Sequence, residues 1–294
     1  MFNQSDKQLN LWVKVPLIVI AAALVIGMLI RPFVIEKPII SPHIHIEWEP
    51  LVVSNVPVKI KSKIETFLPS HSTELPDFAA IVNVQEKKRR FFGFLTPYVE
   101  AENRRLVTLN RWLMSKKQQI ERLEPLSDED SEKIQQLYSR YRIKHTSMSR
   151  ERALEELLKC IDAIPLELVL MQAANESAWG TSRFAKLGLN FFGKWCYSKG
   201  CGIVPRGRPV GKTYEVEAYM SVNDSVQSYF KNINTNNAYS LLREIRFQLR
   251  ENDIPLDAKI LATGLLAYSE RGSHYVEEIT NMINSNQRFV MVGQ

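Results

Sequence analysis

The residues with the clearest chemical potential lie in one stretch, PLELVLMQAANESAWG, at residues 165–180. A proline in the first turn and a glycine suited to a left-handed cap predict a helix of about four turns. Helical spacing places Glu176 in the last turn and near the packed face, whereas Glu167 points the opposite way. Apolar neighbours and the negative end of a helix dipole both favour a protonated carboxyl. Glu176 is therefore a candidate general acid, although a plain helix-end glutamate, or one paired with a buried base, fits the same pattern.

A second group of chemically useful residues follows in LNFFGKWCYSKGC, at residues 189–201, which is dense in aromatic rings and glycines. Such rings beside tight turns can belong to a core. Directly after a cleft glutamate they can instead stack on the apolar faces of sugars. The pattern leaves both readings open.

The three cysteines divide into a pair and a single residue. Cys196 and Cys201 have the spacing of a small closed loop, which predicts a disulfide in an oxidising compartment. Cys160 occupies an apolar position of a helix and is predicted to be a buried thiol. A metal site is disfavoured, because the cysteines lack a second pair and because His43 and His45 lack a third ligand nearby.

Four segments must position these residues. Residues 1–35 contain an apolar run at 11–30, interrupted by Lys14 alone, which predicts an uncleaved signal anchor with a short cytoplasmic tail. Residues 36–76 form a proline-rich stem, residues 77–149 a helical region, and residues 150–294 the domain that carries Glu176. Two alternatives exist for the apolar run. It can be a signal peptide that is cleaved, or it can be a buried helix at the N-terminus of a soluble domain.

Periodicity and caps predict the remaining elements. Helical spacing runs over residues 77–114 with a break near Pro97. Ser127 and Ser149 are predicted to cap the next two helices, and Thr181 or Ser182 a short one after Gly180. A strand is expected at residues 213–220, followed by helices near 221–230, 239–250, 256–268 and 273–284.

Charge is unevenly distributed. The chain has a net charge of +6, but from Arg150 onward 17 Lys and Arg face 16 Asp and Glu. A nearly neutral second half argues against a nucleic-acid surface there. The basic first half favours an anionic membrane or wall surface.

Taken in order, QAANESAWG and NFFGKW resemble the glucosaminidase family of bacterial wall hydrolases, which includes flagellar-rod muramidases and autolysins. WCYSKGCGIVP, YSERGSHY and PDFAAIVNVQEKKRRFFGFLTPYVEAEN are similar to the Bax branch of that family. The broad resemblance covers about residues 150–290, and the Bax-like one extends back to about residue 75. It implies a mainly α, lysozyme-like α+β domain with a small β hairpin beside a cleft.

The resemblance also assigns roles. Glu176 stands at the position of the catalytic acid, Glu215 is the nearest match to a second acidic residue, and Glu217 is its runner-up. Tyr268 and Tyr275 resemble a tyrosine pair of the family, with a spacing of seven residues in place of six, so which one lines the cleft is open. The residues expected to bind substrate are Trp179, Asn190, Phe192, Gly193, Trp195, Glu217 and Tyr275, and those expected in catalysis are Glu176, Glu215 and Tyr268.

The resemblance, together with the predicted anchor, implies a membrane-anchored peptidoglycan hydrolase, an endo-β-N-acetylglucosaminidase outside the cytoplasmic membrane, with no cofactor or metal and no nucleic-acid partner. Its partners are expected to be peptidoglycan glycan strands and, through the N-terminal helix, the membrane. A second carboxylate or the substrate's own 2-acetamido group can serve as the other catalytic group. A lytic transglycosylase and a non-catalytic glycan-binding or scaffold protein are the alternatives.

Overall fold

The computed structural model describes residues 75–290. The predicted signal anchor and nearly all of the predicted stem lie outside this range. Within residues 75–290, no helix combines the length and the apolar character needed to cross a membrane.

A long helix, α1 (Val84–Glu121), opens the described region, and the side chain of Asn83 caps it by accepting from the Glu86 N–H. The predicted break at Pro97 is wrong, because the helix continues through it. Proline removes one backbone hydrogen bond and crowds the carbonyl four residues earlier, here that of Gly93. Buried side chains before and after Pro97, including Phe92 and Val99, hold α1 against the core and offset this cost.

Eight further helices follow, joined mostly by short turns. The predicted caps are confirmed: Ser127 accepts from Asp130 N, Ser149 from Arg152 N, and Ser182 from Ala185 N. The helices are α2 (Asp128–Arg140), α3 (Arg150–Cys160), α4 (Leu166–Ser177), α5 (Arg183–Gly188), α6 (Val222–Thr235), α7 (Ser240–Glu251), α8 (Ala258–Ala262) and α9 (Ser273–Val290).

The predicted helix at 256–268 is shorter than expected. It consists of α8 and one 3-10 turn, Thr263–Leu265. Gly264 marks the reason, because a β-carbon there would stand 2.4 Å from the Leu242 Cα of α7. The chain therefore forms a 3-10 turn where its backbone packs closely against α7.

The strands form one small antiparallel sheet. It contains β1 (Trp195–Cys196), β2 (Gly202–Ile203) and β3 (Glu215–Glu217), with β3 in the middle. The predicted strand at 213–220 is therefore limited to three residues. The described region is mainly helical with a small sheet, as expected for the fold class.

Helix α4 lies at the centre. Its residues are buried on nearly every side, and α1, α8 and α9 pack around it. A helix that is apolar all round is one that other elements enclose. Residues before and after position 150 belong to one hydrophobic cluster, so α1 is part of the core that supports α4.

The turn that leads into α4 is held by side chains from distant elements. Arg246, only 1% exposed, donates to the carbonyls of Lys159, Asp162 and Ala163 at 2.8 to 3.1 Å. From α1, Asn103 exchanges two hydrogen bonds with the Ile164 backbone, at 2.8 and 2.9 Å. Because buried polar backbone groups need partners, these bonds fix where α4 begins.

Candidate active site

Glu176 occupies the penultimate position of α4, as predicted, but the helix ends differently from expectation. The left-handed backbone begins at Ala178 and continues through Trp179 to Gly180, with φ of 51°, 59° and 75°. The cap predicted at Gly180 alone is therefore wrong. Ser177 stabilises the turn, since its hydroxyl donates to the Ala173 carbonyl at 2.6 Å and accepts from the Gly180 N–H at 2.9 Å. The sharp end leaves Glu176 half-buried at the edge of the core.

Gly193 lies directly against the Glu176 carboxyl group. Its φ is +66°, and a β-carbon on it would stand 3.2 Å from Oε2 of Glu176. Both the left-handed backbone and the close approach favour glycine here. The loop 190–194 thus packs with its backbone against the Glu176 carboxyl group.

Asn190 holds that loop in shape. The side chain is 2% exposed, and its amide nitrogen donates to the carbonyls of Lys194 and Glu217 at 2.9 and 2.8 Å. Its oxygen accepts from the N–H groups of Phe192 and Lys194 at 3.3 and 3.2 Å. Asn190 therefore ties the loop to β3, and all four of these partners are backbone groups.

A chain of buried hydrogen bonds ends at Glu176. The Tyr229 hydroxyl donates to Oε1 of Gln172 at 2.6 Å, and Nε2 of Gln172 donates to the Tyr275 oxygen at 3.0 Å. Tyr275, 0% exposed, lies beside Glu176, and its hydroxyl lowers the pKa of the Glu176 carboxyl group. Because the Tyr275 oxygen accepts from Gln172, the Tyr275 hydrogen is available to the Glu176 carboxyl group.

Tyr268 stacks against the ring of Tyr275. The two rings stack with centroids 5.2 Å apart, and the Tyr268 hydroxyl donates to the Phe192 carbonyl at 3.0 Å. Phe192 in turn stacks on Tyr229 at 4.2 Å. Both tyrosines of the predicted pair therefore lie at the site, with Tyr275 bonded to Glu176 and Tyr268 bonded to the adjacent loop.

The surroundings favour a protonated Glu176. Burial raises the pKa of this carboxyl above the ordinary value for glutamate. The hydrogen bond from Tyr275 and the charge of Arg271 lower it in part, and the nearby charge of Glu278 raises it. Arg271 pairs with Glu278 at 2.7 Å on the outer side of the site. The net direction is upward, as predicted from the helix.

Glu215 is placed on the sheet beside the disulfide loop. Its carboxylate accepts from the N–H groups of Gly200 and Gly202 at 3.1 and 2.8 Å. These bonds hold the pKa of Glu215 below its ordinary value, and the charge of Arg208 acts in the same direction. Glu215 is thus an ionised group bound to backbone donors.

Glu217, two residues further along β3, also has partners. Tyr219 donates to its Oε2 at 2.9 Å, and the Lys194 ammonium lies 3.2 Å from the same oxygen. Lys194 also donates to the Ser228 hydroxyl. Glu217 therefore connects the loop after Gly193 with α6.

The two tryptophans occupy different environments. Trp179 packs against Phe91 and Phe92 of α1, with centroids 5.8 and 5.3 Å away, and the Lys88 ammonium lies 5.1 Å from its ring. Trp195 is 46% exposed and contacts Tyr214 edge to face at 4.8 Å. Trp195 is thus available to a ligand, whereas much of Trp179 is part of the packing.

Cys196 and Cys201 are bonded to each other, with their Cα atoms 6.2 Å apart, and Cys160 is a buried free thiol. The two sulfurs and a Glu215 carboxylate oxygen all lie within 4.8 Å. Bonded sulfurs are not thiolates, and the thiolate is the form of cysteine that binds metals, so this group does not fit a metal ion.

Sequence reasoning did not identify Gln172, Tyr229 or Arg271 as site residues. Gln172 precedes Glu176 by one helical turn, so their shared face was a usable signal. No local pattern connects Tyr229 or Arg271 with Glu176, because they come from α6 and from the turn before α9.

The chain is similar to known proteins over most of its described length. Residues 151–288 match the glucosaminidase family, described as mannosyl-glycoprotein endo-beta-N-acetylglucosaminidase. The chain is 32% identical to Protein bax of Escherichia coli (strain K12) over 219 residues, which cover 74% of this chain and 77% of that protein. No solved structure matches the chain significantly. The chain therefore belongs to the glucosaminidase family, as a Bax-like member.

Proposed function

We propose that this protein is a peptidoglycan hydrolase, an endo-β-N-acetylglucosaminidase that cleaves β-1,4 bonds of cell-wall glycan strands. One observation carries the proposal: a carboxyl group with a raised pKa, Glu176, lies against a glycine on one side and a buried tyrosine hydroxyl on the other. A glycosidase needs such an acid to protonate the leaving oxygen. Family membership supports the same class of reaction.

In the first step, protonated Glu176 donates its proton to the glycosidic oxygen as the bond from that oxygen to C1 breaks. The proton transfer leaves a carboxylate, which the Tyr275 hydroxyl stabilises by its hydrogen bond. Gly193 lets the loop approach Oε2 closely, because a β-carbon there would stand 3.2 Å from that oxygen.

The positive charge that develops at C1 needs a second group. Glu215 and Glu217 both accept hydrogen bonds within the fold, which restrict the movement of their carboxylates. The substrate's 2-acetamido oxygen can instead attack C1 and form a cyclic intermediate. Tyr268 is suited to assist: while its hydroxyl donates to Phe192, its oxygen can accept from the acetamido N–H and turn the carbonyl towards C1.

In the second step, water attacks C1 and reopens the intermediate. Glu176, now a carboxylate, takes the proton from that water and returns to its acid form. The acetamido route thus requires a single catalytic carboxylate. Glu215 remains the alternative base in this proposal, with Glu217 after it.

The other predicted substrate residues divide by position. Exposed Trp195 is suited to stack on a sugar ring, while Phe192 and Asn190 shape the loop that carries Gly193. Trp179 acts through its packing beside Glu176. The helical domain with its small sheet next to the acid also supports a lysozyme-like arrangement of the cleft.

A lytic transglycosylase is the second candidate, since a site with one available carboxylate fits it as well as it fits the acetamido route. Such an enzyme uses a single glutamate, and both Glu215 and Glu217 are engaged elsewhere in the fold. In that reaction the substrate's own O6 hydroxyl attacks C1, so the product carries a 1,6-anhydro ring.

A digest of purified peptidoglycan by the full chain, run beside Glu176→Gln, tests the proposal. Mass spectrometry after reduction should identify fragments that end in reducing N-acetylglucosamine, and these should be absent with the variant. Anhydro ends would move the reaction to the transglycosylase class. Binding to sacculi without any fragments would instead indicate a non-catalytic glycan-binding protein.

We also propose an extracytoplasmic location with a membrane anchor in residues 11–30. The Cys196–Cys201 disulfide supports it, because such bonds persist in oxidising compartments. Two measurements test this location. The protein should be found in the membrane fraction of the cells and not in the soluble fraction. Protease added from outside should degrade the domain in spheroplasts and leave it intact in whole cells.

A further inference from the structure

The segment at residues 194–214 has an unusual charge composition. It contains five Lys and Arg and no Asp or Glu, whereas the rest of residues 150–294 contains 12 Lys and Arg against 16 Asp and Glu. We call this segment, which includes β1, β2 and their loops, the basic hairpin. A concentrated positive region on an otherwise acidic domain indicates an anionic partner.

Three of the five cations are free to meet such a partner. Lys199, Arg206 and Lys212 are exposed, and none of them forms a salt bridge with a carboxylate in residues 75–290. The other two serve the fold: Lys194 binds Glu217, and Arg208 donates to the carbonyls of Thr213 and Tyr214 at 3.3 and 3.1 Å.

The basic hairpin also presents aromatic rings. Trp195 is 46% exposed and Tyr197 is 63% exposed, and Tyr214 contacts Trp195. Aromatic faces pack against the apolar faces of pyranose rings, as well as against apolar protein groups. Exposed rings interleaved with cations therefore fit a ligand that has both sugar rings and negative charges.

Internal bonds hold the basic hairpin in one conformation. The Cys196–Cys201 disulfide closes its first loop, and Glu215 accepts from the N–H groups of Gly200 on that loop and Gly202 at the start of β2. A surface fixed before binding loses less conformational entropy when a ligand arrives. This gives Glu215 a structural reason to be buried on β3.

The basic hairpin begins beside the candidate acid. Gly193 contacts Glu176 and precedes Trp195 by two residues. The Cα atoms of Gly193 and Trp195 are therefore at most about 7 Å apart. A polymer bound across Trp195 would extend from the point of cleavage along the hairpin.

We propose that the basic hairpin recognises the carboxylates of peptide stems on the glycan strand, so that the protein prefers stem-bearing peptidoglycan to bare glycan. This inference rests on the proposed function and adds which form of peptidoglycan the protein prefers. Sugar rings would stack on Trp195 and Tyr197 while stem carboxylates pair with Lys199, Arg206 and Lys212. Peptidoglycan is favoured over an anionic lipid surface because the rings lie beside the candidate glycosidase acid.

The test uses the full chain carrying Glu176→Gln, so that binding is measured without cleavage. Its affinity is compared for stem-bearing strands, for strands stripped of peptide by an amidase, and for vesicles of phosphatidylglycerol. A triple variant, Lys199→Gln, Arg206→Gln and Lys212→Gln, is added to this background. The matched control, Arg122→Gln, Lys144→Gln and Lys259→Gln, removes the same charge from exposed residues elsewhere.

We expect the triple variant to bind stem-bearing strands about tenfold more weakly and to bind stripped strands with unchanged affinity. Its affinity for stem-bearing strands should also depend much less on salt concentration than that of the parent. The control variant should bind stem-bearing strands, stripped strands and vesicles with affinities within about twofold of those of its parent. Thermal midpoints of both should match the parent, because the changed side chains are exposed.

Equal losses on stripped strands, no loss on stem-bearing strands, or a loss confined to vesicles would overturn the proposal. The proposed hydrolase activity is judged separately, by cleavage of stem-bearing strands by the chain with Glu176 intact. That activity can stand while stem recognition fails, and lack of cleavage with charge-dependent stem binding would refute only the hydrolase.

Discussion

A β-carbon on Gly193 would stand 3.2 Å from Oε2 of Glu176, although the two residues come from a loop and a helix. The loop therefore approaches this carboxyl group with its backbone, at a position that has no side chain.

We expect Gly193→Ala to lower kcat about a hundredfold, because a displacement of the acid by less than an ångström is costly to catalysis. The left-handed backbone adds a loss of about 1–2 kcal/mol in stability. Gly211→Ala is the control, since its φ is +84° and nothing lies within 4 Å of its added carbon. Similar kcat losses in both variants would refute the special role of the contact.

Replacement of the acid should separate activity from stability. Glu176→Gln is expected to lower kcat by about 10²- to 10⁴-fold. Glu167→Gln on the same helix should stay near wild-type activity. Peptidoglycan turnover by dye release measures both, and full activity of Glu176→Gln would refute the assignment.

Stability should depend on pH through the same residue. Because burial raises the pKa of Glu176 in the folded state, the protonated form is favoured on folding, and stability is lost as pH rises through that pKa. The thermal midpoint of Glu176→Gln should therefore exceed that of wild type at neutral pH, and the difference should shrink in acid. A difference that grows in acid would contradict the raised pKa.

Tyr275→Phe should alter the pH profile of the reaction. Its hydroxyl stabilises the Glu176 carboxylate, so its loss should move the alkaline limb of kcat to higher pH. A lost bond to a charged group costs about 1.5–3 kcal/mol, so kcat should fall about ten- to a hundredfold.

Tyr138→Phe provides the control for that variant. Tyr138 is also buried, but its hydroxyl has no hydrogen-bond partner within residues 75–290. It should leave the pH profile of kcat unchanged. An unshifted limb in Tyr275→Phe would show that the bond to Glu176 has no part in the acid's titration.

Glu215→Gln should loosen the basic hairpin. The backbone donors of Gly200 and Gly202 hold the pKa of Glu215 low, so the ionised form contributes stability above the ordinary carboxyl pKa. This contribution is lost as pH falls through the folded-state pKa. The thermal midpoint of the variant should lie below wild type at neutral pH and approach it in acid, with Glu217→Gln compared under the same conditions.

Activity of Glu215→Gln should fall together with its stability and recover at lower temperature. A stable variant without activity, rescued by added azide, would instead make Glu215 the base that activates water.

Sequence alone was sufficient for the local elements and for the position of the candidate acid in its helix. Serine caps, apolar periodicity and the spacing of QAANESAWG depend on neighbours within a few residues, so α2, α3, α5 and the position of Glu176 were predictable. It failed where packing outweighs local preference, at Pro97, which stays in α1, and at Gly264, where contact with α7 shortens the expected helix.

Tertiary structure decided the chemistry around Glu176. The burial that raises its pKa, the contact with Gly193 and the chain from Tyr229 through Gln172 to Tyr275 join a loop and three helices far apart in the chain. Glu215 and Glu217 were both reasonable as catalytic groups by type and spacing, and only the folded chain showed the partners each one has. Residue types thus determined which reaction was possible, whereas three-dimensional contacts determined the protonation and placement of each group.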